Sequence, residues 1–111
     1  MKPWRLTPRA EDSLTDIFIW TIENFGERQA MAYQDGLIER INQIAKGKPP
    51  HPRSCKALMA GRSGAEGLSY DREGGHYIIL RETEERLEVL EFLHQRSDLP
   101  AHLERLGELG V

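Results

Sequence analysis

Apolar residues recur along this chain with two periods. Ala10, Leu14, Ile17, Phe18, Thr21 and Phe25 stand three or four apart, which predicts a helix with one buried face. Thr7-Pro8 supplies an N-cap with proline at the first helical position, and Glu11 and Asp12 sit near the positive end of the helix dipole. Gly26 can take the left-handed conformation that stops a helix. A second helix follows at once, with Ala30, Tyr33, Leu37, Ile41 and Ile44 on one face. It ends near Lys46-Gly47, and Pro49-Pro50 prevents it resuming. Two helices joined so tightly pack antiparallel. Gly36 costs the second helix roughly 1 kcal/mol in propensity; it either permits close approach of the first helix or is a weak spot.

The rest of the pattern has period two. Residues 2–6 alternate, with Trp4 and Leu6 facing one way, and read as a first strand. Residues 47–64 are loop-like, with a short turn around Ala57-Leu58-Met59. Residues 67–71 carry Leu68 and Tyr70, Glu73-Gly74-Gly75 is a hairpin signal, and residues 76–81 alternate. A polar turn at 82–85 leads to an apolar run over 87–93. Apolar residues on both faces of the last two strands predict a central place in the sheet. Asp98 or Ser97 caps a short final helix with Leu99, Leu103 and Leu106 on one face. The pattern predicts an α+β fold: an N-terminal strand, an antiparallel helix hairpin packed on an antiparallel sheet of about four strands, and a short C-terminal helix. One domain over residues 1–111 is expected.

Composition narrows the class. Charged residues make up 30% and hydrophobic residues 39%, as in a globular chain and unlike a disordered one. The net charge of −3 argues against a surface that grips nucleic acid everywhere. Lys46, Lys48, Arg53, Lys56 and Arg62 nevertheless fall in a stretch with no acid between Glu39 and Glu66, either a local cationic surface or a solvated loop. No apolar run reaches the length of a membrane span, and the first residues lack the apolar core of a signal peptide. The single Cys55 excludes an internal disulfide and a cysteine-based zinc site and reads as an ordinary loop thiol. These features suggest a cytoplasmic protein. His51 and Cys55 are too isolated for a metal site, Gly61-Arg62-Ser63-Gly64 lacks the phosphate-loop pattern, and no cofactor is expected.

Candidate chemistry concentrates after the apolar run. His94, Arg96 and Asp98 alternate, so they would share one face if strand geometry persisted to Leu99-Pro100. Arg81 and Arg96 lie at strand ends beside Glu82 and Asp98. Each either fixes the sheet edge as an ion pair or contacts a polar or anionic target. His94 either hydrogen-bonds a neighbouring carbonyl or touches that target. On the first helix, Ile19 points with Asp12, Asp16 and Glu23, and Trp20 lies on the flank. A two-layer core needs neither. They are candidates for a partner surface, unless Trp20 packs under the loop of residues 47–64.

The order and spacing of these pieces resemble the ParE branch of the RelE/ParE toxin superfamily, from type II toxin–antitoxin systems. The residues that carry the resemblance are Phe25-Gly26, Gln29-Ala30, Tyr33 and Leu37 in the helix hairpin, and Gly67-Leu68 with His76-Tyr77 through Arg81 in the strand hairpin. Val89, Leu93-His94, Arg96 and Asp98 extend it along the closing strand. Two departures are Leu80, where the family often has an aromatic residue, and the C-terminal helix around Pro100-Ala101-His102-Leu103, which only some members share. The resemblance implies a toxin neutralised by a ParD-like antitoxin in a hetero-oligomer, with DNA gyrase as target. Arg81, His94 and Arg96 are then candidates for the target, and Ile19 and Trp20 for the antitoxin. RelE-like members are instead ribosome-dependent endoribonucleases that cut messenger RNA. Those resemble one another in a basic set on the sheet and a tyrosine in the last helix. Here residues 99–106 contain no tyrosine, and Glu82, Glu84, Glu85, Glu88 and Glu91 would repel phosphate.

Overall fold

A computed structural model of the chain describes residues 2–109. The elements run β1 (Trp4–Leu6), α1 (Pro8–Phe25), α2 (Glu27–Ala45), β2 (Arg53–Ser54), a 3₁₀ turn (Cys55–Leu58), β3 (Leu68–Glu73), β4 (His76–Glu82), β5 (Leu87–His94) and α3 (Leu99–Glu108). The local signals act as expected. The Thr7 hydroxyl accepts from the Ala10 amide at 3.2 Å and donates to the Leu90 carbonyl at 3.1 Å, so the cap also pins α1 to β5. Asp98 is the cap of α3, accepting from the Ala101 amide.

The sheet has five strands in the order β1-β5-β4-β3-β2, not about four, and it is mixed. β1 lies parallel to β5, with Trp4 opposite Leu87 and Leu6 opposite Val89; the other pairings are antiparallel. Alternation in the first strand reveals its face but not its direction, because its partner lies at the far end of the chain. The fifth strand, β2, is too short to leave a period in the sequence. Between β4 and β5 the register passes from Ile79↔Glu91 to Leu80↔Val89, leaving Leu90 as the extra residue of a bulge.

The core also has more layers than expected. The α1–α2 hairpin covers one face of the sheet through Ala10, Leu37 and Ile41 against Ile78, Leu80, Val89 and Phe92. Cys55, Met59, Leu99, Leu103 and Leu106 cover the other face, over Ile79 and Leu90. Every residue from Leu87 to Leu93 is therefore buried, which explains apolar residues on both faces of β5, interrupted by Glu88 and Glu91. Each fully buried aliphatic side chain contributes roughly 1.5–3 kcal/mol. Cys55 belongs to this second core, and burial pushes its thiol up to about 11, so it is inert. Arg40 is buried as well. Its Nε donates to Asp71 at 2.7 Å and a terminal nitrogen donates to the Pro50 carbonyl at 2.6 Å, tying α2 to β3 and the following loop.

Three local expectations are corrected. Phe25, the last residue of α1, is 57% exposed and does not join the buried face. Gly36 permits no close approach, since a Cβ there would meet nothing within 4 Å. Trp20 does not pack under the loop of residues 47–64. The 3₁₀ turn of that loop lies on the opposite face of the sheet, and Trp20 is 57% exposed.

Candidate functional site

The second half of α1 carries more apolar surface than one face can bury. Ile19, Trp20, Ile22 and Phe25 are all exposed. The Trp20 and Phe25 rings meet edge to face with centroids 5.8 Å apart. They form one wall of a cavity of about 630 Å³, closed on the other side by Tyr33, His76 and His94. The lining is chiefly apolar with a few polar groups at its base, the usual constitution of a binding groove.

The base is built by the β3–β4 turn and the ends of β4 and β5. His76 and His94 are direct cross-strand partners, and their rings stand nearly perpendicular at 5.6 Å. Tyr33 reaches over from α2. Its hydroxyl accepts from the Gly75 amide at 2.9 Å and lies 2.5 Å from His76 Nδ1. The hydroxyl also reaches the Glu73 carbonyl at 3.5 Å, and the His76 tautomer decides which of the two receives its one hydrogen. Burial raises the Tyr33 pKa above its ordinary value, the Gly75 hydrogen bond opposing this. Burial, with the second imidazole adding to it, lowers that of His76. His76 is therefore biased toward its neutral form. On His94, Nδ1 accepts from the Arg96 amide at 3.1 Å, which places that ring's proton on Nε2.

The expected row of His94, Arg96 and Asp98 does not form. The chain turns after His94, with the Ser97 amide donating to the His94 carbonyl at 2.8 Å. Asp98 turns to the cap of α3, and Arg96 is exposed outside the groove. Arg81 lies elsewhere, on the far side of β4. It pairs with its cross-strand partner Glu88 at 2.8 Å instead of its neighbour Glu82. Arg5 binds the other oxygen of Glu88 at 2.6 Å, and Arg86 approaches that oxygen at 3.7 Å. Hydrogen bonds from Arg81 and then Arg5 hold the Glu88 carboxyl below the usual range.

The fold thus brings Trp20 and His94 into one groove and leaves Ile19, Arg81 and Arg96 outside it. Helical spacing marks Tyr33 only as a core residue. The signal for its second task is a hydroxyl-bearing aromatic on the core face of α2, opposite a double-glycine turn. Among the described residues no three histidine, cysteine or acidic groups gather to hold a metal, and no helix is long and apolar enough to cross a membrane.

Residues 4–99 match the family model described as the ParE toxin of the type II toxin–antitoxin system, parDE. The chain is 30% identical over 103 residues to Toxin ParE1 of Caulobacter vibrioides, covering 93% of this chain and 99% of that protein. A solved structure of the chromosomal ParDE TA system from P. aeruginosa superposes with a TM-score of 0.67. That match covers 85% of this chain and 96% of the other at 12% identity, and it supports the fold. The span of the family match and the near-complete coverage of a curated relative agree: this chain belongs to the ParE toxin family of type II toxin–antitoxin systems.

Proposed function

We propose that this toxin inhibits growth by binding DNA gyrase, and that a ParD-type antitoxin holds it inactive by laying an amphipathic segment into the groove between α1 and the β4–β5 edge. The observation that carries the antitoxin contact is the pair Trp20 and Phe25, each 57% exposed, on a helix whose opposite face already closes the core. Large apolar groups left in water at a concave site favour a partner that covers them. The gyrase target rests on family membership.

The chemistry of the groove supports adhesion over RNA cleavage. Cleavage needs a base for the 2′-hydroxyl, an acid for the leaving oxygen and positive charge on the phosphorane. His76 is biased toward its neutral form, its Nδ1 is in contact with Tyr33, and Asp16 stands at the rim. Arg81, the candidate cation on the sheet, is engaged by Glu88.

Controlled expression of the chain alone and with its antitoxin tests the reading. Filamentation with DNA-damage signalling, relieved by the antitoxin, is the expected result. Rapid loss of messenger RNA with translation arrest would establish RNA cutting instead, and unaffected growth would mean a chain that only binds its partner.

A further inference from the structure

We infer that a cationic pocket across the β3–β4 turn from the groove takes an acidic stretch of the same antitoxin, so that groove and pocket form one docking track. This rests on the antitoxin reading above and adds a second contact to it.

The pocket encloses about 350 Å³ and is lined by His51, Arg53, Tyr70, Asp71, Arg72 and Tyr77 with Pro50. Arg53 stands directly opposite Tyr70, and Arg72 directly opposite Tyr77. Register and alternation put all four on the face of the sheet turned away from the helix hairpin, where both tyrosines border the second core. The tyrosine rings meet edge to face at 6.1 Å, and the Arg72 guanidinium lies 5.9 Å from the centre of Tyr77. Asp71 is the one acid in the lining, and it is already engaged by the buried Arg40 and by the Arg72 amide. Arg5, Arg9, Arg40, Arg62, Arg81 and Arg86 each meet a carboxylate. Among the described residues Arg53 and Arg72 meet none, and both are exposed. Neutral acceptors hold Arg72 instead: the Gln95 side chain, and the Gly74 carbonyl at 3.4 Å. Its guanidinium is thus oriented with its charge uncompensated.

Continuity and charge fix the occupant. Gln95 lines the apolar groove and also holds Arg72, which lines the pocket, so the two concavities meet at the β3–β4 turn. A segment that leaves Trp20 and Phe25 past Gly75 and Gln95 arrives at Arg72 and then Arg53. Lys48 and Lys56 flank Arg53 in the stretch that has no acid between Glu39 and Glu66, so the field there favours an anion on a chain of net charge −3. Two guanidiniums suit carboxylates, each of which can accept a paired hydrogen bond from the planar fork. A nucleic-acid strand carries a charge on every phosphate and would bring them past Glu73, beside Arg72, and past Asp16 at the groove. A peptide sets its acids at the pocket and keeps apolar side chains for α1, so it matches both halves of the track.

The test is a titration of the chain with its co-expressed, separately purified antitoxin at about 50 mM and about 500 mM salt. The variants are Trp20→Ala, the double change Arg53→Gln with Arg72→Gln, and the double change Lys46→Gln with Lys48→Gln. The last removes the same charge from exposed residues outside the pocket lining. The arginine double variant should bind roughly tenfold more weakly than the wild type at the lower salt and within about twofold of it at the higher. Its thermal midpoint should match the wild type, since both arginines are exposed. The lysine double variant should bind like the wild type, and Trp20→Ala should lose affinity at both salts. No loss in the arginine variant, or a loss equal at the two salts, overturns the inference and leaves the groove as the antitoxin site. A loss as large in the lysine variant makes the effect one of overall charge and overturns it too. If Trp20→Ala binds like the wild type, the groove reading fails separately, and the arginine variant still decides the pocket. Fluorescence anisotropy of a single-stranded oligonucleotide with the chain alone closes the remaining route: binding that the arginine variant abolishes would make the pocket a nucleic-acid site and overturn the inference.

Discussion

Gly74, at the tip of the β3–β4 turn, lies against the ring of Tyr33: a Cβ at this position would stand 2.7 Å from Tyr33 Cε1 and 2.8 Å from its hydroxyl oxygen. The backbone there has φ +57, a conformation that side chains disfavour. Gly74→Ala is expected to destabilise the fold by about 1–3 kcal/mol. It should also push the hydroxyl away from His76 Nδ1 and change the surroundings of that imidazole. Urea unfolding and imidazole chemical shifts measure the two effects; an unchanged midpoint would contradict the contact.

Two carboxylates three residues apart on β5 respond to acid in opposite senses. The folded pKa of Glu88 is depressed, by hydrogen bonds from Arg81 and Arg5, so its stabilisation is present above the unfolded value of about 4.3 and is lost as pH falls through the folded value. That of Glu91 is raised, by burial, with Arg9 opposing. Its contribution is present below about 4.3 and is lost as pH rises through the folded value. Glu88→Gln should cost about 1–2 kcal/mol at pH 7, and that cost should shrink as the pH falls through the folded value. Glu91→Gln should leave stability level or higher at pH 7, since Arg9 is half-exposed and hydrates when unpaired. Unfolding midpoints at pH 3, 5 and 7 check both signs.

Two helical glycines separate backbone economy from packing. At Gly36 an added methyl would meet nothing within 4 Å, so Gly36→Ala should stabilise α2 by up to about 1 kcal/mol. At Gly107 the same atom would stand 2.6 Å from the Gly64 Cα and 2.9 Å from its carbonyl oxygen, where the loop crosses α3. Gly107→Ala should therefore lower stability by about 1–3 kcal/mol despite better helix propensity. Thermal unfolding of the pair tests the contrast, and equal shifts would refute it.

Trp20→Ala should weaken antitoxin binding by about 2 kcal/mol, some thirtyfold, as expected of a central aromatic anchor. Its effect on folding should stay within about 0.5 kcal/mol, because the ring is already mostly in water. Ile19→Ala, outside the groove, should change affinity far less. Calorimetric titration ranks the two variants.

The parts of the fold readable from sequence are those fixed within a few residues. Thr7-Pro8, Gly26, the Gly74-Gly75 turn and Asp98 each carry a short-range rule that the structure obeys. What sequence reasoning misses is set over long separations. The direction of β1 depends on a strand whose residues lie 83 positions away, as Arg5 and Glu88 do. The meeting of Trp20 with His94, and the choice of Glu88 over Glu82 by Arg81, depend on register between elements. The exposure of Phe25 is hidden because helical spacing says which residues share a face but not which of them the rest of the fold covers.

The parallel pairing of Trp4–Leu6 with β5 has a consequence for biosynthesis. The N-terminal strand emerges first and finds its neighbour last, so a growing chain can close its helix hairpin early but cannot zip the sheet until residues 87–89 are available. A nascent chain short of those residues therefore holds β1 without the strand on which it closes the sheet.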